Sequence, residues 1–262
     1  IGSGLVGSEM CIRDRNIGDY VVRKKYHGDI LFEIIDIKDG IYYLRGVELR
    51  LIADSESDDL QLSDVQPHEE ENFTIVRQPV IRGKVLHLDG DEKYLKLCQQ
   101  KYDELKIRAD CYYMHESQMA DCVVELLEKH KPQILVVTGH DALRKDLDKT
   151  DMNNYQHSFD YAQTIKNARA YQEDKDALII IAGACQSYYE LLLASGANFA
   201  SSPKRINIHA LDPVYVASLV ANESVRNYCD IEDIINHTTH KQSGIGGIDT
   251  KGVARKIYPT RG

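Results

Sequence analysis

The sequence predicts an α/β protein: a three-layer α/β/α sandwich on a mostly parallel sheet, preceded by a small β-barrel. Three observations predict it. From residue 83 onward, apolar runs of strand length alternate with stretches whose apolar residues recur at helical spacing, the pattern of successive βαβ units. The strongest runs, ILVVT at 134–138 and ALIIIA at 177–182, are apolar almost throughout, as strands covered by helices on both faces must be. Residues 17–52 differ. There, short β-rich runs are cut by turn signals at Gly28-Asp29, Asp39-Gly40 and Arg45-Gly46, with Lys and Arg interspersed among aromatics.

Four segments follow in order. The opening IGSGLVGSEMCIRDR, residues 1–15, has neither the basic start nor the long apolar run of a signal peptide. It is similar to translated sequencing-adapter sequence and is set apart, with Cys11, as non-native. Residues 16–53 are expected to form the barrel, four or five short strands of the SH3-like kind. Between 53 and 72 stand eight acidic residues and no Lys or Arg, so 54–82 reads as a solvated acidic linker. Residues 83–262 form the α/β domain. KVLHLDGD is a strand ending in carboxylates, EKYLKLCQQKYDELK a helix, ADCYYMHE a strand and SQMADCVVELLEKHK a helix. PQILVVTGHD is a strand, HSFDYAQTIKNARAYQ a helix, ALIIIAGAC a strand and SYYELLLASG a helix closed by glycine. ANFASSPKRINIHALDP is a loop with a further strand, VYVASLVA a helix starting just after Pro213, and DIEDIINHTTH a helix. GIGGIDTKGVARKIYP is a terminal hairpin or strand.

Composition narrows the function. Hydrophobic residues make up 43% and charged residues 28%, an ordinary globular balance, and no apolar stretch approaches the roughly 18 residues of a membrane span. A formal charge of −9 argues against a general nucleic-acid binder. The six cysteines include no CxxC pair, which speaks against zinc and thioredoxin-like chemistry and fits a reducing compartment. Neither a metal nor a cofactor is expected.

In a doubly wound sheet, ligands bind beyond the carboxyl ends of the strands. Three predicted strands end in reactive groups: Asp89 and Asp91, His140 and Asp141, and Cys185. If the strands carrying His140 and Cys185 are neighbours, the imidazole can take the thiol proton or hold a thiolate as an ion pair. Backbone N–H groups of Gly139, Asp141 and Cys185 can serve an oxyanion. A carboxylate among Asp89, Asp91 and Asp141 can pair with a substrate arginine, while Asp91 can equally cap the helix at Glu92.

This His–Cys arrangement resembles caspase-like cysteine proteases, in which a histidine ends one apolar strand and a cysteine ends a later one; here the histidine comes 45 residues before the cysteine. That group usually has glycine after the histidine, where this chain has Asp141. A closer resemblance covers nearly everything after residue 16. The blocks IGDYVVRKKYHGDILFEII, GKVLHLDGDEKYL, ILVVTGHDA, AGACQS, SGANFASSPKRINIHALDPVY and GIGGIDTKGV are similar, in order, to the YabG family of sporulation-specific proteases of spore-forming Firmicutes. The resemblance implies a cysteine endopeptidase with a His–Cys dyad at His140 and Cys185, cutting after arginine. It implies protein substrates of the spore coat and germination apparatus, no nucleic-acid or membrane partner, and work in the mother-cell cytoplasm at the forespore surface.

Other assignments stay open. Cys185, His209 and Asp212 follow the Cys–His–acid order of class I glutamine amidotransferases, although Ser187 stands where those enzymes have glycine. A structural coat protein that binds through its barrel is the non-enzymatic alternative. Gly244, Gly246 and Gly247 make a poor phosphate loop and read as a turn or hinge. His115, His130, His157, His237 and His240 show no metal spacing and read as surface. Oligomeric state is not legible.

Overall fold

The computed structural model describes residues 15–63, 80–144 and 147–258. It divides into two compact units: one holds residues 1–47 and 52–68, the other 48–51 and 69–262. The predicted segment 1–15 lies outside the described residues except for Arg15, and most of the predicted linker does too.

The first unit is one antiparallel sheet of β1 (Tyr20–Arg23), β2 (Leu31–Lys38), β3 (Ile41–Gly46), β4 (Ile52–Glu56) and β5 (Leu60–Leu62), in the order β4-β3-β2-β1-β5. Asp39 and Gly40 join β2 to β3 in a two-residue turn, both with positive φ (50° and 80°), the conformation that Asp-Gly favours in tight hairpins. Val21, Phe32, Ile34, Leu44 and Leu60 are its buried apolar residues. The sheet does not close: among the described residues β4 and β5 are edges that do not pair. It also outruns the expected boundary at residue 53. The acidic stretch that reads as linker begins inside β4, where IADSE alternates and only Ser55 is buried, and continues through a 3-10 turn at Ser57–Asp59 into β5. Charge alone misled because a strand with one face in water carries its carboxylates there, as Asp54 and Glu56 do. Asp59 also pairs with Arg23 of β1.

In the second unit, β6 (Val80–Ile81) pairs with β13 (Arg255–Lys256) in a small antiparallel ladder. The main sheet contains β7 (Val85–Asp89), β8 (Ala109–Tyr113), β9 (Ile134–Thr138), β10 (Ile179–Ala182), β11 (Phe199–Ser201) and β12 (Ile245–Gly247). Their order is β12-β11-β10-β9-β7-β8, all parallel except β12. Helices α1 (Glu92–Leu105), α2 (Glu116–His130), α3 (Ser158–Tyr171), α4 (Tyr189–Ala194), α5 (Asp212–Asn222) and α6 (Ile231–Asn236) supply the outer layers. Alternate strand residues face opposite cores. Ile134, Val136, Ile179 and Ile181 pack with α1, α5 and α6, whereas Leu135, Val137, Ile180 and Ala182 pack with α2, α3 and α4. The predicted sandwich is thus present with its mostly parallel sheet. The SGIGGID stretch is an edge strand rather than a hinge. A Cβ on Gly247 would stand 2.5 Å from the Phe199 ring and 2.8 Å from the Asn198 carbonyl, so β12 pairs closely because it lacks side chains there.

Candidate active site

The strand order reverses between β7 and β9. From that gap α1 leads outward to β8 on one side, while β10 and β11 build on the other. Such a switch point opens a crevice at the carboxyl ends. Register then decides what faces what. Asp89 is level with Thr138, so Asp91 and His140, each two residues further, come out level as well. Val137 is level with Ala182, the last residue of β10, so the segments that carry His140 and Cys185 leave neighbouring strands. Neighbouring strands lie about 4.8 Å apart. The segments that carry Asp91, His140 and Cys185 therefore leave three adjacent strands at the same end of the sheet.

His140 is oriented from three sides. Its Nε2 meets Asp91 Oδ2 at 3.0 Å, its N–H donates to Glu116 Oε1 at 2.8 Å, and its carbonyl accepts from the Tyr161 hydroxyl at 2.9 Å. The ring edge contacts Tyr94, with centroids 6.0 Å apart. Asp91 caps α1 with its other oxygen, which accepts from Lys93 N–H at 2.8 Å and Tyr94 N–H at 3.1 Å. The reading of Asp91 as a helix cap is thus met, and the oxygen expected to pair with a substrate arginine instead faces His140. Gly139, at φ +158°, lets the chain pass over Glu116: a Cβ there would lie 2.4 Å from Glu116 Oε1.

Cys185 is buried, and its sulfur accepts from Ile208 N–H at 3.3 Å. Burial pushes the thiol up to about 11, against the pull of the Ile208 N–H and of Arg50. The turn that carries it is braced. Gln186 adopts a left-handed φ of 57°, held by its N–H bonds to Ile206 O at 3.0 Å and Ser202 Oγ at 3.1 Å. Ser187 receives Ala184 N–H and donates to Asp141 Oδ2, both at 2.9 Å. Asp141 also accepts from Ser158 Oγ, His157 N–H and Ala142 N–H. Burial raises its pKa, and these donors oppose the rise. Asp141 thereby ties the histidine loop to the cysteine turn. Among the described residues, the N–H groups of Gly139, Asp141 and Cys185 donate to no protein acceptor.

Asp89 stands deeper. It is fully buried and grips Arg50 bidentately, at 2.9 and 2.7 Å, and it accepts from Thr138 Oγ1 at 2.9 Å. Burial opposes its charge, but Arg50 wins and its pKa is lowered. His87 lies alongside, bonded to Thr138 and Tyr102, and burial takes its pKa down to about 4. Cys98 completes this cluster, where ligand atoms of His87, Asp89 and Cys98 lie within 4.8 Å of one another. The guanidinium of Arg50 fills it, bonding Asp89 and reaching Cys98 Sγ at 3.5 Å.

Among the described residues the His209 and Asp212 side chains share no hydrogen bond, although His209 acts against the burial that raises the Asp212 pKa. His209 Nδ1 accepts from Leu211 N–H at 3.2 Å, and Asp212 Oδ1 accepts from the Thr239 N–H and hydroxyl. Glu116 and Arg50 are the site residues that sequence reasoning missed. Glu116 offers the signal of an acidic residue opening a helix after a strand, whereas Arg50 offers none, since its partner is 39 residues away. His115 and His157, read as scattered surface residues, stack edge to face beside Glu116, 5.4 Å between centroids. In the helices and strands described, no helix is long and apolar enough to cross a membrane.

A family model described as YabG peptidase U57 matches residues 16–80 and 69–259. The chain belongs to the YabG peptidase U57 family. It is 38% identical over 284 residues to the Sporulation-specific protease YabG of Bacillus subtilis (strain 168), which spans 93% of this chain and 97% of that protein. Among solved structures, the RcsB response regulator of Salmonella typhimurium matches at TM-score 0.29 and 14% identity, over 45% of this chain and 50% of that one. A GDP-L-fucose synthetase from Naegleria fowleri matches at TM-score 0.24 and 13% identity, over 41% and 35%. Membership in the YabG family makes the chain a member of a peptidase family.

Proposed function

We propose that this chain is a cysteine endopeptidase of sporulation, with Cys185 as nucleophile, His140 as general base and acid, and Asp91 as the group that orients His140. The observation that carries this reading is that the segments bearing Asp91, His140 and Cys185 leave the adjacent strands β7, β9 and β10 at one end of the sheet, with His140 already held by a carboxylate on its Nε2. A nucleophile, a base and an orienting group in that relation form the general constellation for acyl transfer. With Nε2 committed to Asp91, Nδ1 is the nitrogen that takes the thiol proton. The thiolate attacks the peptide carbonyl, and the unclaimed N–H groups at Gly139, Asp141 and Cys185 receive the oxyanion. His140 then protonates the leaving amine, and water releases the acyl-enzyme.

The fold supports a caspase-like reading of the domain, since histidine and cysteine end adjacent parallel strands. The strand order of the first unit, with a 3-10 turn before its last strand, supports the SH3-like reading, and that sheet is proposed to hold coat substrates. We infer from the sequence resemblance that the substrates are spore coat and germination-related proteins, cut after arginine, and that the enzyme works in the mother-cell cytoplasm at the forespore surface. Cleavage of a basic coat-protein substrate by wild type, Cys185→Ala and His140→Ala, with folding checked by circular dichroism, tests the reading. Loss of cleavage in both variants is expected. Full activity in either sinks it.

A further inference from the structure

We propose that the segment Glu48–Leu51 occupies the substrate groove of its own α/β unit, with Arg50 filling the pocket for the arginine before the scissile bond and Asp89 as the carboxylate that selects it. The inference rests on the proteolytic reading above and names the residues of its specificity.

The backbone comes first. The segment stands between β3 and β4 in chain order but belongs to the α/β unit. It runs antiparallel to Ile208–Ala210, with Leu49 opposite His209. Arg50 N–H donates to Ile208 O at 3.2 Å, and Ala210 N–H donates to Glu48 O at 3.0 Å. Two such bonds, alternating in direction, are how an extended peptide adds itself to a strand-like edge. The same edge holds the nucleophile, because Ile208 N–H also donates to Cys185 Sγ.

The side chain comes second. Arg50 pairs bidentately with Asp89, its Nη2 reaches Ala210 O at 3.3 Å, and its guanidinium lies 5.1 Å from the Tyr94 ring centroid. Carboxylate, carbonyl and aromatic face together recognise a guanidinium by charge, geometry and cation–π contact. A buried ion pair that only held two loops together would need neither the strand pairing nor the neighbouring thiol. Two details mark the occupant as a plug. Among the described residues Arg50 Nε finds no acceptor. Leu51 N–H bonds back to Leu49 O at 2.8 Å, so the chain turns at Arg50 instead of continuing along the groove. A substrate arginine must displace it.

The test is chemical rescue in the full chain. Arg50→Ala and wild type are melted with and without ethylguanidine, and both are assayed on a peptide carrying a single arginine. Ethylguanidine is expected to raise the Tm of Arg50→Ala and to leave wild type, whose pocket is full, unmoved. KM for the peptide is expected to fall at least about tenfold in the variant, because the competing internal arginine is gone. Should Arg50→Ala be too unstable to purify, Arg50→Lys, which meets Asp89 at a single point, is expected to give an intermediate KM. If ethylguanidine rescues stability while KM stays at the wild-type value, the pair is structural and the inference is overturned. Equal cleavage of arginine and glutamine peptides by wild type overturns the role of Asp89. If neither wild type nor variant cuts any peptide, the proteolytic reading fails and takes this inference with it.

Discussion

Asp91→Asn separates two jobs held by one carboxylate. Oδ1 accepts from Lys93 and Tyr94 N–H groups at the start of α1, and Oδ2 holds His140 Nε2. Asparagine caps helices about as well as aspartate, so the lost charge costs only about 0.5 kcal/mol of helix-dipole interaction. In a domain of this size that lowers Tm by about 1–2 °C. The second job fails outright. In the proposed mechanism an amide nitrogen or a neutral oxygen at Oδ2 no longer favours the imidazolium that forms when His140 takes the thiol proton. General acid–base catalysis contributes ~10²–10⁴-fold, so kcat is expected to drop at least ~100-fold, about 2.7 kcal/mol of barrier. The assay is steady-state cleavage of an arginine peptide beside a thermal melt, with KM followed separately. A positioning role predicts a fall in kcat at nearly constant KM and Tm. Activity within about threefold of wild type, at unchanged Tm, refutes the orienting role. A large loss of Tm means that Asp91 matters as a cap.

Two further predictions follow from the same geometry. Gly139→Ala sets a methyl 2.4 Å from Glu116 Oε1 and 2.8 Å from the Tyr161 hydroxyl, two of the groups that hold the His140 backbone. It is expected to cost about 1–3 kcal/mol and to cut kcat with it, and denaturant melts that match wild type contradict this. His87 sits below its ordinary pKa, at about 4, because it is buried. The unfolded chain therefore binds the extra proton first, and stability is lost as pH falls from about 6.5 towards 4, by an amount on the order of 3 kcal/mol. His87→Gln should flatten that slope between pH 7 and 4.5, and an unchanged slope rules out His87 as its source.

Much of this site could be read from the chain, and what could not has a physical reason. The apolar runs of β9 and β10 announce buried parallel strands, and each ends on a turn with glycine, so His140 and Cys185 stand out as strand-end groups. The Asp39-Gly40 turn was equally plain, since few dipeptides tolerate positive φ twice. Register is the first thing that stayed hidden. Asp91 is level with His140 only because Asp89 is level with Thr138, and strand order and offset come from packing across the sheet. Asp141 reads in the sequence as a candidate partner for a substrate arginine, but its carboxylate is claimed by Ser158 of α3 and Ser187 of the cysteine turn. β4 is hidden by its charge, because one exposed face is enough to make a strand look like a linker, and the uncharged β5 is hidden by the acidic residues on either side of it. Arg50 lay beyond local reasoning, since its partner Asp89 stands 39 residues away in the chain.

Direct identification of the atom that carries the acyl group tests the central claim. An arginine peptide is turned over by wild type, quenched in acid, and the chain is digested and mapped by mass spectrometry. A peptide acyl adduct on the fragment containing Cys185, absent from Cys185→Ala, is the result this account predicts. An adduct on Ser187, Cys98 or Cys229, or cleavage that proceeds undiminished in Cys185→Ala, contradicts it.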